Sequence, residues 1–232
     1  MKISQLLPLL LSSSAATLAL AEEPLRFNIV NFQAEASRQV SNDEMHAVLF
    51  IEKSNKQPDA LSAQITQLMN QALSTAKKYP QVKLETGSQT TYPVYDPNST
   101  KLKEWRGRAE VNIESTDFKA ASQLISELQQ NFQTQSINFT VSSAQRKKVE
   151  NELITAATQN FQQRAQILTQ AWNKSSYQLV NFNLNTNSSF PRPIMRDSVA
   201  KFAVAEMAPA AQSVEAGEST ISVTADGSIQ LK

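Results

Sequence analysis

Cysteine is absent from the 232 residues, histidine occurs once and glycine only four times. Without cysteine there is no disulfide and no thiolate nucleophile, so stability has to come from the core. Scarce glycine argues against a glycine-rich phosphate loop. No Walker loop, G-x-S-x-G or H-E-x-x-H pattern appears in the chain. A surplus of charge is also missing: 22 basic residues face 21 acidic ones. Such a balance gives no strong pull toward nucleic acid or an anionic lipid surface. Long apolar runs are confined to the first 21 residues, so no later segment suits a membrane span.

Those first residues have the pattern of an export signal. Lys2 gives a positive start, "LLPLLL" and "LAL" an apolar centre, and Ala19-Leu20-Ala21 a small-x-small cleavage site. The alternative, an uncleaved anchor, fits less well, because Ser12, Ser13 and Ser14 interrupt the run. Cleavage after residue 21 would remove Lys2 and leave 21 basic against 21 acidic residues. An exported chain without cysteine suits a bacterial periplasm. In an animal secretory route, the Asn-x-Ser/Thr sites at Asn98, Asn138, Asn173 and Asn187 would matter instead.

Residues 22–232 are long enough for one large α+β domain. Three helices are expected. In the first, Pro58 to Tyr79, Leu61, Ile65, Leu68, Ala72 and Ala76 recur every three or four residues, with Pro58 in the first turn. Asp117 caps the second, whose stripe is Phe118, Ala121, Ile125, Leu128 and Phe132. The third spans 143–173, capped by Ser143. Its stripe is Val149, Leu153, Ala157, Phe161, Ala165, Leu168 and Trp172, with a second row at Ile154 and Ile167.

Strands lie between them. "MHAVLFIEK" reads as a central strand. "EWRGRAEVNIES" alternates, with Trp105, Gly107, Ala109, Val111 and Ile113 on one face and Arg106, Arg108, Glu110, Asn112 and Glu114 on the other. Tyr92-Pro93-Val94-Tyr95 ends the preceding strand, and a loop of about ten residues is expected before Trp105. "INFTV" points Ile137, Phe139 and Val141 inward; "YQLVNFNLN" groups Val180, Phe182 and Leu184. Residues 24–42 suggest an extra strand or hairpin. Asp226-Gly227, within the final stretch 219–231, suggests a turn or bulge. The order over 45–141 is β-α-β-β-α-β, the split, ferredoxin-like pattern; a long helix and C-terminal strands follow. The tract 185–218 has weak periodicity and is expected to be a long loop.

"SNDEMHAVLFIEKSNKQPDALSAQITQLMNQAL", "YPVYDPN", "WRGRAEVNI" and "INFTVSSAQRKKVENELITAATQNFQQRAQIL" occur in that order, with "STISVTADGSIQL" at the end. In this order they resemble the SIMPL-domain family of bacterial periplasmic and outer-membrane-associated proteins. The resemblance implies an α+β fold, export and, in some members, large ring-like oligomers. It implies no catalytic residue and no cofactor. Trp105-Arg106-Gly107-Arg108-Ala109 departs from the glycine-aromatic order of the family's hairpin strand.

Candidate chemistry is sparse. His46 falls out of phase with Ala47, Leu49 and Ile51, so a surface or interface position is expected. Glu110 and Glu114 share a strand face with Arg106 and Arg108, which reads as a solvated ion-pair ladder before it reads as a carboxylate pair for glycoside chemistry. Two groups are the candidates for an interface or ligand face. One is Tyr92, Tyr95, Trp105, Arg106 and Arg108 on the hairpin. The other is Arg146, Lys147 and Lys148 at the start of the long helix, where basic residues oppose the helix dipole. The expected function is that of an exported, non-enzymatic protein that forms homo-oligomers and supports the cell envelope or its stress tolerance, with envelope proteins as further partners and no nucleic acid. The alternative is a periplasmic binder of a small molecule or peptide, with its pocket near the Tyr92–Trp105 hairpin and the 185–218 tract.

Overall fold

The computed structural model describes residues 27–186 and 215–232. The expected signal segment, 1–21, and most of the 185–218 tract lie outside these residues. Along the chain run β1 (Ile29–Ser41), β2 (Glu44–Asn55), α1 (Pro58–Ala76), β3 (Lys83–Tyr95), β4 (Leu102–Ser115) and α2 (Phe118–Leu128). Then come β5 (Gln133–Thr140), α3 (Ser143–Ala171), β6 (Tyr177–Asn185) and β7 (Glu218–Leu231). The fold is α+β, and every strand pairing is antiparallel.

The strands divide into two sheets. One has the order β3-β4-β2-β5, the other β1-β7-β6. The first sheet with α1 and α2 is the split β-α-β-β-α-β unit expected from the sequence. Leu49, Ile51, Val111 and Ile113 face Leu61, Ile65 and Leu124 in one buried core. The second sheet carries α3, and Ala34, Ile221, Val223, Ala225 and Ile229 meet Val149, Leu153, Ala157 and Phe161 in a separate core. Helix α3 packs on β1, β7 and β6, whereas α1 and α2 pack on the first sheet and on each other. Two lobes result. Lobe B, residues 44–140, is inserted into lobe A, which is built from β1, α3, β6 and β7.

Local chemistry explains most element ends. Asp117 accepts from the Ala120 N–H at 3.0 Å and starts α2 as expected. For α3 the cap is Ser142, not Ser143: its hydroxyl accepts from the Gln145 N–H at 3.3 Å. The β3–β4 connection is six residues, 96–101, and so is shorter than expected. Strand β3 continues through Pro93 to Tyr95 because β3 is an edge strand, where a missing N–H removes no ladder bond within the sheet. Residues 29–41 form one strand and no hairpin.

Four further expectations change in lobe A and at the sheet edge. Register shifts between Leu179 and Asn181, so Val180 is the extra residue of a bulge that interrupts the alternation expected along Val180, Phe182 and Leu184. Asp226-Gly227 forms neither a turn nor a bulge in β7; Gly227 sits mid-strand between Phe32 and Phe182. Trp172 and Ile167 are 65% and 63% exposed, since Trp172 lies past the last turn and Ile167 points away from the sheet. Ile137 is also largely exposed, on the edge strand β5.

Gly227 is required by close approach. A Cβ there would overlap the Asn181 carbonyl oxygen, and it would press on the Phe161 ring at 3.2 Å. Backbone cannot yield as a side-chain tip does. Gly227→Ala is therefore expected to push β6 off β7 and to destabilise lobe A by about 1–3 kcal/mol, as overpacking typically does. Residue-resolved amide exchange should show lost protection along Tyr177–Asn185; unchanged protection would mean that the two strands absorb the methyl group.

Candidate functional site

Strands β3 and β4 run past the end of β2, which stops at Asn55 opposite Trp105. Beyond that point they continue as a two-stranded ribbon, with Tyr95 opposite Leu102. Tyr95 is 55% exposed and Leu102 47%, and Tyr92 on the other face is also exposed. Side chains alternate across the ribbon, so Trp105 and Tyr92 part company. Trp105 turns toward α1 and packs on the lobe B core. Tyr92 pairs in register with Arg106 on the open face.

That open face holds the ion pairs. Arg106 lies 3.4 Å from Glu104 and 3.7 Å from Glu52. Its already high pKa is raised further, chiefly by the Tyr92 phenol, against the opposing effect of lost solvation. Arg108 donates to Glu110 at 3.0 and 3.1 Å and to Gln135, and its guanidinium lies 3.7 Å over the Phe50 ring. The stack is worth about 0.5–1 kcal/mol at such an exposed site. Glu114 pairs with Lys83 at 3.6 Å, not with an arginine. The face is thus the solvated ladder read from the alternation, each pair worth little. His46 lies at its near end, half-exposed, with Nε2 2.9 Å from Glu44.

The two candidate groups are far apart. Arg146, Lys147 and Lys148 lie in the first two turns of α3, whose cap Ser142 is bonded to Asp43 where the lobes meet. The ribbon starts at the opposite end of β2, twelve residues on, or roughly 40 Å of extended chain. Both groups are visible in the sequence, but their positions at opposite ends are not.

A wide groove in lobe B lies elsewhere, between α1 and α2. It is open, about 1220 Å³, and Ser62, Thr66, Asn70, Gln71, Gln130 and Asn131 line it with amides and hydroxyls. Glu127 closes one end, accepting from the Tyr79 hydroxyl at 2.6 Å and from Lys78 at 3.0 Å. These two donors, Tyr79 first, hold the Glu127 carboxyl below the usual carboxylate range, and the same contact raises the Tyr79 phenol. Among the described residues, no cluster of His, Asp or Glu is gathered as a metal ion would require. No helix among them is long and apolar enough to cross a membrane.

One polar cluster, at the meeting of the lobes, has no counterpart among the sequence candidates. Ser142 donates twice to Asp43, from its N–H at 2.6 Å and its hydroxyl at 2.8 Å. Beside it, Asn42 donates from its side chain to the Ala216 carbonyl at 2.7 Å and accepts from Ser219 at 2.6 Å. In the sequence, "SND" and "VSS" carry only the signal of ordinary turn chemistry.

The family model described as "SIMPL: Protein of unknown function (DUF541)" matches residues 30–229. No curated protein matches the chain. Among solved structures, the de novo designed protein Foldit4 is 13% identical, with a TM-score of 0.27, over 43% of this chain and 98% of its own. An amidase of the hydantoinase/carbamoylase family from Burkholderia multivorans is 13% identical, with a TM-score of 0.26, over 46% of this chain and 28% of its own. A putative amidohydrolase/peptidase from Burkholderia cenocepacia is 12% identical, with a TM-score of 0.29, over 49% of this chain and 30% of its own. The chain therefore spans less than a third of either enzyme, and at these TM-scores the likeness bears on neither fold nor activity.

Proposed function

Because the chain belongs to the SIMPL family, whose function is unknown, we propose from its own features that it is an exported, non-enzymatic protein that self-associates. Its role would be to support the cell envelope, and its place the periplasm, with or without contact to the outer membrane. The observation that carries this reading is the ribbon. Tyr95 and Leu102 are exposed on a two-stranded arm beyond the end of β2, and Tyr92 is exposed at its base, where Arg106 still pairs with Ser54. An isolated hairpin is only marginally stable in water, so such an arm gains from being covered. Tyrosines with arginines nearby are also the usual anchors of protein interfaces. The signal-like first 21 residues support export.

Light scattering on a sizing column, over a range of concentrations, tests the proposal. The wild type should form a discrete assembly heavier than one chain. The double variant Tyr95→Ser/Leu102→Ser should stay folded and lose mass. A wild type that remains monomeric throughout would sink self-association; an assembly unchanged in the variant would move the interface off the ribbon.

A second reading is favoured by the α1–α2 groove, whose amide and hydroxyl lining suits a polar small molecule or a peptide. A monomeric wild type would direct attention there.

A further inference from the structure

The lobes are joined by two crossings that lie side by side. The chain enters lobe B through Asn42 and Asp43 and leaves it through Val141 and Ser142. The Asp43 N–H donates to the Thr140 carbonyl at 3.0 Å, so the crossings touch. Among the described residues, each lobe closes its own core, and the helices of one do not pack on the helices of the other. The angle between the lobes therefore rests on what is bonded at the crossings.

The bonds there divide cleanly. Asn42 belongs to lobe A: its backbone N–H donates to the Gly217 carbonyl at 3.1 Å and its side chain binds Ala216 and Ser219. Gly217, at φ 69°, brings that chain in through a left-handed turn. Asp43 stands next to Asn42 and holds Ser142 through both carboxylate oxygens. Ser142 is at the same time the cap of α3, the helix that covers lobe A. One carboxylate thus ties the entrance of lobe B to the first turn of the lobe A helix. Both oxygens are engaged by short bonds, and hydrogen bonds to an ionised acceptor are the stronger class.

We infer that Asp43 is a conformational latch: it sets the angle at which two otherwise separate lobes are held, and its release lets them turn as rigid bodies about residues 42–43 and 141–142. Two short crossings without packed elements between them are the usual anatomy of a hinge. The latch would operate in a monomer and in an assembly alike.

Spin-label distance measurement on the full chain tests it. The absence of cysteine makes two introduced cysteines the only labelling sites. Gln67→Cys on α1 and Gln163→Cys on α3 report the interlobe distance. Gln67→Cys with Gln133→Cys, and Gln39→Cys with Gln163→Cys, report distances inside lobe B and lobe A. In the wild type the interlobe distribution should be as narrow as the two internal ones. Asp43→Ala should broaden or shift the interlobe distribution alone. A broad wild-type distribution, or an unchanged one in Asp43→Ala, would overturn the latch. If Asp43→Ala also disturbs the internal distances, Asp43→Asn decides. It keeps an oxygen for the Ser142 N–H and replaces the second with an amide group, so partial interlobe broadening with intact lobes is expected. An interlobe distribution equal to the wild type in that variant would overturn the proposal.

Discussion

Phe161→Ala should remove about 3–5 kcal/mol from the stability of lobe A, the range typical of a buried phenylalanine cut back to alanine. Phe161 is 2% exposed and lies at the centre of the second core. Its ring stacks on Phe32 from β1, with centroids 4.3 Å apart, and meets Phe182 from β6 edge-on at 5.2 Å. One side chain of the helix thereby joins both outer strands of the sheet. The space left by the ring opens directly over Gly227, which has no side chain to fill it. Partial collapse is therefore hard, and the cost should sit at the upper part of the range. Urea unfolding followed by residue-resolved amide exchange should show the loss in β1, β7 and α3, with lobe B unaffected. A change under about 1 kcal/mol would mean that the helix does not use this face.

The matching change in lobe B is Leu124→Ala. Leu124 is fully buried on α2 among residues of the first core, and truncation there should cost about 2–5 kcal/mol. The informative part is where the cost appears. Amides of β2, β4 and β5 should lose protection while those of β1 and β7 keep theirs. Because the two sites share no neighbours, the double variant Phe161→Ala/Leu124→Ala should be additive within about 0.5 kcal/mol. Strong non-additivity would show that the two cores are energetically coupled. If the lobes melt separately, a single unfolding free energy for the whole chain has no meaning.

How much of the fold is legible in the sequence depends on the range of the interaction. The split β-α-β-β-α-β unit is legible because each of its elements announces itself locally. Ala109, Val111 and Ile113 alternate, Leu61 and Ile65 recur at helical spacing, and Asp117 caps the helix that begins at Phe118. The helix α3 stripe from Val149 to Ala165 is legible for the same reason, and fails at Trp172, which lies past the last turn of the helix. The division into two lobes is hidden. It depends on β1 pairing with β7, across nearly the whole chain, and no local pattern reports a distant partner. The bulge at Val180 is hidden likewise, because "YQLVNFNLN" permits more than one register and only pairing with β7 chooses between them.

The candidate site shows the same split. Alternation on β4 places Arg106 and Arg108 on one face and Trp105 on the other. It does not show that the ribbon leaves the sheet, since that depends on where β2 stops. Asp43 and Ser142 carry no motif that joins them: they are 99 residues apart and meet only because lobe B returns its two ends to one place.

The antiparallel pairing of the first strand with the last has a temporal consequence. During synthesis the segment Ile29–Ser41 emerges early and has no partner in this sheet until Glu218–Leu231 arrives. Lobe B has all of its strands once residue 140 is out, and its strand pairings lie within that stretch. It can therefore condense while β1 still waits as an unpaired, extended segment. Long-range pairing is the slow step in folding, because the loop must be closed before any contact rewards it. Here the early compact body shortens that loop by bringing Glu44 beside Thr140. The inserted lobe thus acts as a staple within the nascent chain, and β7 completes its sheet only when it pairs with β1.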